Sequence, residues 1–141
     1  MSCKRLSTLL ALVLVAAATV MAQKKYYAPE DVPNVQLQNK NRYLSDPARF
    51  IDAASAAHID STLQNVRTAT SVQAAVVVLP YMAGDADVDT YATELFTLWG
   101  LGDKKKDNGL LVLVSVGDRK YVIRTGYGIE GALPDAICGR I

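Results

Sequence analysis

The sequence predicts an α/β domain with helices packed on both faces of a mixed sheet. Three observations predict it. Helical and β-branched segments alternate along the chain in the order αβαββα. The run Gln73 to Leu79 is apolar without alternation, as in a strand covered on both faces. Two later β-branched runs, Leu110 to Val116 and Arg119 to Thr125, are joined only by Gly117-Asp118, a strong hairpin signal. Alternation of this kind is solved by layering helices on a sheet.

The elements follow in order. Residues 1–22 form a secretory signal peptide: Lys4 and Arg5 precede an apolar run from Leu9 to Val20, and Val20-Met21-Ala22 places small residues where a signal peptidase reads. The run is shorter than the roughly 18 residues a bilayer span needs, and Thr19 interrupts it. Cys3 precedes the run, so it does not mark a lipoprotein cleavage site. The protein is expected to be exported to the periplasm, the cell envelope or the exterior. Removing 22 of 141 residues leaves 119, enough for one domain with a real core. Cys138 is then the single cysteine, so no internal disulfide forms; flanked by Ile137 and Gly139, it reads as a buried, inert thiol.

Residues 23–46, with Pro29 and Pro33 and no helical periodicity, read as an extended lead-in crossing the surface, and the folded unit is expected over 47–141. Asp52 caps a helix over about 53–69, with Ala56, Ile59, Leu63 and Val66 as its core-facing stripe. After strand 73–79 and the loop MAGDAD, a second helix runs over about 88–99 on a stripe of Val88, Ala92, Leu95 and Trp99, stopped by Gly100 and Gly102. The hairpin follows, then GYGIEG, then a helix starting near Leu133-Pro134-Asp135.

A right-handed crossover through the second helix makes strands 73–79 and 110–116 parallel. Pairing about Gly117-Asp118 then places Gly109 near Gly126 and Asp107 near Gly128, so DKKKDNG and GYGIEG should touch. That edge gathers Asp103, Asp107, Asn108, Glu130 and Asp135 beside three lysines and Arg124. Oxygen ligands on glycine-rich loops suit a hard cation such as calcium, while glycines at turns and a tight connection into the strand explain the same motifs without a ligand.

Several chemistries are excluded. The whole chain carries a net charge of +1, and the leader holds Lys4 and Arg5, which leaves −1 for the rest; nucleic acid is not the expected partner. Segment 85–94 spaces its acids like a calcium loop, but Thr90 and Phe96 stand where an EF-hand needs Gly and Glu. Asp85, Asp87 and Asp89 suit a helix N-terminus instead. The lone His58 supports no triad, and neither a phosphate-binding G-x-x-x-x-G-K-[ST] nor a C-x-x-C occurs.

The stretch WGLGDKKKDNGLLVLVSVGDRKYVIRTGYGIEGALPDAICGRI resembles the core signature of the TPM domain family, linking W-G-x-G, D-N-G, G-Y-G-x-E-G and L-P-D in order; the likeness extends back to PNVQLQNKNRYLSDP, covering about 33–141. The resemblance implies a Rossmann-like α/β/α three-layer sandwich found in exported bacterial and thylakoid-lumen proteins, some described as acid phosphatases and some as calcium binders. A further relative, an auxiliary membrane protein of acetylcholine receptors, has no catalytic role. It also implies a domain continuing past Ile141, often into a membrane helix, so that membrane contact is expected only through a segment outside this chain.

Carried over by motif, Asp107, Glu130 and Asp135 are the expected metal ligands and Asn108 and Tyr127 the expected ligand-binding residues, joined by Arg124 from the same edge. No dedicated nucleophile is visible, so the expected role is a cation-binding module contacting an envelope protein or phosphorylated ligand; the alternative is metal-assisted phosphomonoester hydrolysis, with Lys105, Lys106 or Arg124 neutralising phosphate.

Overall fold

The computed structural model describes residues 23–129; the leader, Glu130, Asp135, Cys138 and the last expected helix lie outside the described residues. The chain forms β1 (Tyr26–Tyr27), β2 (Leu44–Ser45), α1 (Ala53–Thr70), β3 (Gln73–Leu79), β4 (Tyr81–Met82), α2 (Val88–Leu98), β5 (Gly109–Ser115) and β6 (Lys120–Thr125), with single 3-10 turns at Pro29–Asp31, Val35–Leu37 and Tyr127–Ile129. The main sheet has the order β2-β3-β5-β6, and β1 pairs with β4 in a separate parallel ribbon. Strands β2, β3 and β5 run parallel and β6 returns antiparallel, so the sheet is mixed, in an α/β sandwich.

Both helices start where the sequence places their caps. Asp52 Oδ1 accepts the Ser55 N–H at 2.9 Å, and Asp87 Oδ1 accepts that of Thr90 at 2.9 Å. The Ser55 hydroxyl and then its N–H hold the exposed Asp52 carboxyl below the usual carboxylate range, and the Thr90 N–H and then its hydroxyl do the same for Asp87. Helix α1 ends at Ser71, in left-handed backbone at φ 63°. Gly100 and Gly102, at φ 57° and 91°, turn the chain after α2.

Packing concentrates on one face of the sheet. Tyr91, Ala92 and Leu95 of α2 lie on Ala75, Val77 and Leu79 of β3 and Leu111 and Leu113 of β5. The opposite-parity residues Ala74 and Val78 are buried too, so β3 is covered on both faces, as its unbroken apolar run predicts. In β5 the alternation is visible instead: Leu111 and Leu113 are buried, Val112 and Val114 half-buried. The stripe of α1 expected to face the core is only half-buried, and no residue of α1 is fully enclosed. Asp60 on α1 ends the sheet: its Oδ1 accepts the N–H groups of Tyr43 and Leu44 at 2.7 and 3.0 Å, blunting the β2 edge.

The lead-in 23–46, expected outside the folded unit, is part of it. Tyr27, Val32, Tyr43 and Leu44 are buried, Gln36 Nε2 donates to the Ala74 carbonyl at 2.9 Å, and Ser45 Oγ to that of Pro33 at 2.6 Å. Prolines interrupt regular structure there without preventing burial, and the aromatic rings supply the apolar area. Tyr91 Oη donates to the Tyr27 carbonyl at 2.7 Å, tying the ribbon to α2. Desolvation, reinforced by Glu30, Asp31 and Glu94, pushes this phenol's pKa up.

Candidate functional site

The hairpin decides which loops meet. Its ladder ends at Ser115 opposite Lys120, one residue inside the expected strand ends, and Arg119 N–H closes the turn on the Val116 carbonyl at 3.3 Å. The expected register nonetheless holds. Gly126 N–H donates to the Gly109 carbonyl and Gly128 N–H to that of Asp107, both at 2.9 Å. A Cβ on Gly126 would overlap the Asp107 carbonyl oxygen and lie 2.8 Å from its carbon; one on Gly128 would overlap that of Lys106. Two backbones approach here as closely as only glycine allows.

The 103–108 loop is shaped from within. Asp103 Oδ1 accepts the N–H groups of Lys105 and Lys106 at 2.8 and 3.2 Å, and these bonds hold its carboxyl below the usual range. Asp107 sits in left-handed backbone at φ 48°, where Asp is tolerated better than most residues. Asn108 is 6% exposed; its Oδ1 accepts the Asp103 N–H at 2.8 Å and its Nδ2 donates to the Ser71 carbonyl at 2.6 Å. Asn108, expected as a ligand-binding residue, braces the loop against the end of α1.

Asp107, Arg124 and Tyr127 come together as the sequence predicts, lining a cleft of about 390 Å³ with Thr93, Phe96, Thr125 and Gly126. Tyr127 N–H donates to Asp107 Oδ2 at 3.2 Å, and the Arg124 guanidinium donates to the Thr93 hydroxyl. The Tyr127 ring is 81% exposed. Thr125 Oγ1 is buried without a partner among the described residues. Glu130 and Asp135, the other two expected metal ligands, lie outside the described residues, and among those described no three His, Cys, Asp or Glu side chains converge. Asp107 is the one acidic side chain among the described residues that lines the cleft.

With this edge defined, the comparisons with known proteins acquire a structural meaning. The TPM domain profile matches residues 44–141, from the first residue of β2 through the cleft and on to the end of the chain. The chain belongs to the TPM domain family. A solved structure similar to this TPM domain is the solution NMR structure of the N-terminal domain of a protein from P. gingivalis: 39% identity, TM-score 0.75, 82% of this chain and 73% of that one covered. No curated protein matches significantly. The TPM domain seen here also takes in the β1 ribbon upstream of the matched segment.

Sequence reasoning missed Thr93 and Phe96, the α2 wall of the cleft. They sit three residues apart and so share a helix face, but nothing in the sequence says which strand that face meets. It also missed Asp118, read only as a turn residue. Its Oδ2 accepts the Ser115 hydroxyl at 2.6 Å and the Met82 N–H at 2.9 Å. The Ser115 bond first, then the Met82 N–H and the Lys120 charge, hold this carboxyl below its ordinary range. It pins the hairpin to β4 at the end of the sheet opposite the cleft.

Proposed function

We propose that this chain is an exported TPM-domain module whose cleft holds a divalent cation of the calcium class and through it contacts an envelope protein or a phosphorylated ligand. The observation that carries this reading is the locked junction of the two glycine segments. Gly126 and Gly128 press on the Lys106 and Asp107 carbonyls, and the Tyr127 N–H donates to the Asp107 carboxylate, which lines the cleft. Hard oxygen donors on pre-set loops favour calcium over softer metals, because little ordering is left for the ion to impose.

A second reading, metal-assisted phosphomonoester hydrolysis, draws on Arg124. Its guanidinium shares the cleft with Asp107 and the Thr93 hydroxyl, a placement suited to an anionic oxygen. A bound cation would supply Lewis-acid polarisation of phosphate and orientation of water. The chain itself supplies charge neutralisation by Arg124 and an acidic anchor in Asp107.

The test is an amide-resolved NMR titration of residues 23–141 with calcium and with magnesium, repeated on Asp107→Asn and Glu130→Gln. Shifts confined to 103–109 and 126–135, and lost in both variants, are expected. A flat response refutes the cation reading. Metal-dependent turnover of p-nitrophenyl phosphate that disappears in Arg124→Ala, while the calcium shifts persist, would select the hydrolase.

A further inference from the structure

We propose that the outer edge of β6 is a dimer interface, where two copies of this chain join their sheets by antiparallel β6 pairing. The main sheet ends on two strands, β2 and β6. Asp60 blunts the first, whereas β6 runs over six residues, Lys120–Thr125, without a proline or a glycine. Val116 N–H donates to the Leu79 carbonyl and Gly126 N–H to that of Gly109, so β5 turns its even-numbered residues to β3 and its odd-numbered ones to β6. In the β5–β6 register those odd-numbered residues meet Lys120, Val122 and Arg124. Tyr121, Ile123 and Thr125 therefore direct their N–H and carbonyl groups outward, and none of these six groups has a hydrogen-bond partner among the described residues. Such an edge is a template for another strand.

The side chains make this edge complementary to itself. Val122 packs on the α2 cluster and Arg124 donates to Thr93 of α2, so Lys120, Val122 and Arg124 share the face that α2 covers, and Tyr121, Ile123 and Thr125 share the other. On that other face Tyr121 is 51% exposed, and Ile123 and Thr125 are only half-buried. A two-fold axis perpendicular to the sheet sets the edge antiparallel to its own copy. Outward groups must meet outward groups, so the possible registers differ by steps of two residues. With Tyr121 opposite Ile123, Lys120 faces Arg124; with Ile123 opposite Thr125, Arg124 faces itself. Like charges directly opposite are destabilising, and larger slips leave most of the outward groups unpaired. With Ile123 on the axis, Lys120 meets Gly126 and Arg124 meets Val122, so no charges oppose, and Tyr121 lies against Thr125 as an aromatic and β-branched pair. That register pairs all six outward groups of each copy. It also sets Lys120 of the partner subunit beside Gly126, at the rim of the cleft that Arg124 lines. The interface belongs to the sheet and does not depend on the cation reading.

The experiment is sedimentation equilibrium of residues 23–141 at concentrations up to about 1 mM, because an edge of about 20 Å, six residues at roughly 3.3 Å each, makes a small and weak interface. A mass that rises with concentration towards two copies is expected. Ile123→Lys, which sets two like charges against each other on the axis, should raise the dissociation constant at least about tenfold. The register is read by disulfide crosslinking in a Cys138→Ala background under oxidised glutathione. Ile123→Cys should give a covalent dimer, since its Cα atoms stand about 5.5 Å apart across the axis. Tyr121→Cys should not, because four residues along the strand hold its two copies about 14 Å apart. Equal crosslinking by both variants would mark random collision and overturn the proposal. So would a monomer mass at every concentration, the result expected if residues 130–141 cover this edge.

Discussion

Replacing Gly128 by alanine tests whether the cleft depends on backbone contact. The residue does not occupy left-handed backbone, so alanine meets no conformational penalty there, and its cost is steric. The new Cβ would overlap the Lys106 carbonyl oxygen outright and lie 2.9 Å from that of Asp107, where carbon and oxygen need upwards of about 3 Å. Neither carbonyl can swing aside, because Asp107 N–H is already bonded to the Asp103 carbonyl at 2.7 Å and Asp103 in turn holds Lys105 and Lys106. The 126–129 segment must therefore withdraw, breaking the bonds from Gly128 N–H to the Asp107 carbonyl and from Tyr127 N–H to Asp107 Oδ2. At about 0.5–1.5 kcal/mol each, with residual overpacking of about 1 kcal/mol, the loss comes to roughly 2–4 kcal/mol. It cannot much exceed the energy of detaching that segment. Urea unfolding followed by Trp99 fluorescence reads the midpoint, and the calcium titration should go flat in the same variant. Gly84→Ala is the control: at φ 85° with open space around its Cβ position it carries only a backbone penalty of about 1 kcal/mol. A Gly128→Ala protein as stable as wild type, or one more stable than Gly84→Ala with unmoved Asp107 and Tyr127 amides, would refute the reasoning.

Asn108→Ala should cost about 1–3 kcal/mol in urea unfolding, because the part-buried bonds to the Asp103 N–H and the Ser71 carbonyl are both lost. Asp118 has a folded-state pKa below its ordinary 3.8, so its stabilisation is present above that value and is lost as pH falls through the folded-state pKa. Asp118→Asn should therefore be less stable than wild type at pH 7, with the difference shrinking as pH falls below 3.8, a trend that urea midpoints measured into acid would show. Tyr91→Phe removes the hydroxyl bound to the Tyr27 carbonyl, which keeps the Ala83 N–H as a donor, so about 1 kcal/mol is expected in the same assay.

Local chemistry was legible wherever it acts within a few residues. Asp52 and Asp87 are caps because a side-chain oxygen three residues before a free N–H has few better partners. The β3 run is central because nothing along it tolerates water. Even the meeting of Asp107 with Gly128 could be read, since antiparallel pairing about a two-residue turn is counting. What sequence did not announce depends on distance in the chain. Tyr27 and Leu44 look like surface residues among prolines until β4 and β3 give them strands to pair with. Nothing near Asn108 in sequence announces that the Ser71 carbonyl, 37 residues away, takes its amide N–H.

The sequence by itself determined the two long helices, strands β3, β5 and β6, the parallel crossover, the hairpin register and the identity of the two loops that touch, because each follows from periodicity or from turn chemistry confined to neighbouring residues. Only the tertiary structure decided that α2 supplies Thr93 and Phe96 to the cleft, that Asp118 faces Met82, and that Asn108 ties the loop to the Ser71 carbonyl. Those outcomes rest on which faces pack together, and burial is non-directional: it rewards any apolar pairing, so the choice is made by the whole set of contacts at once.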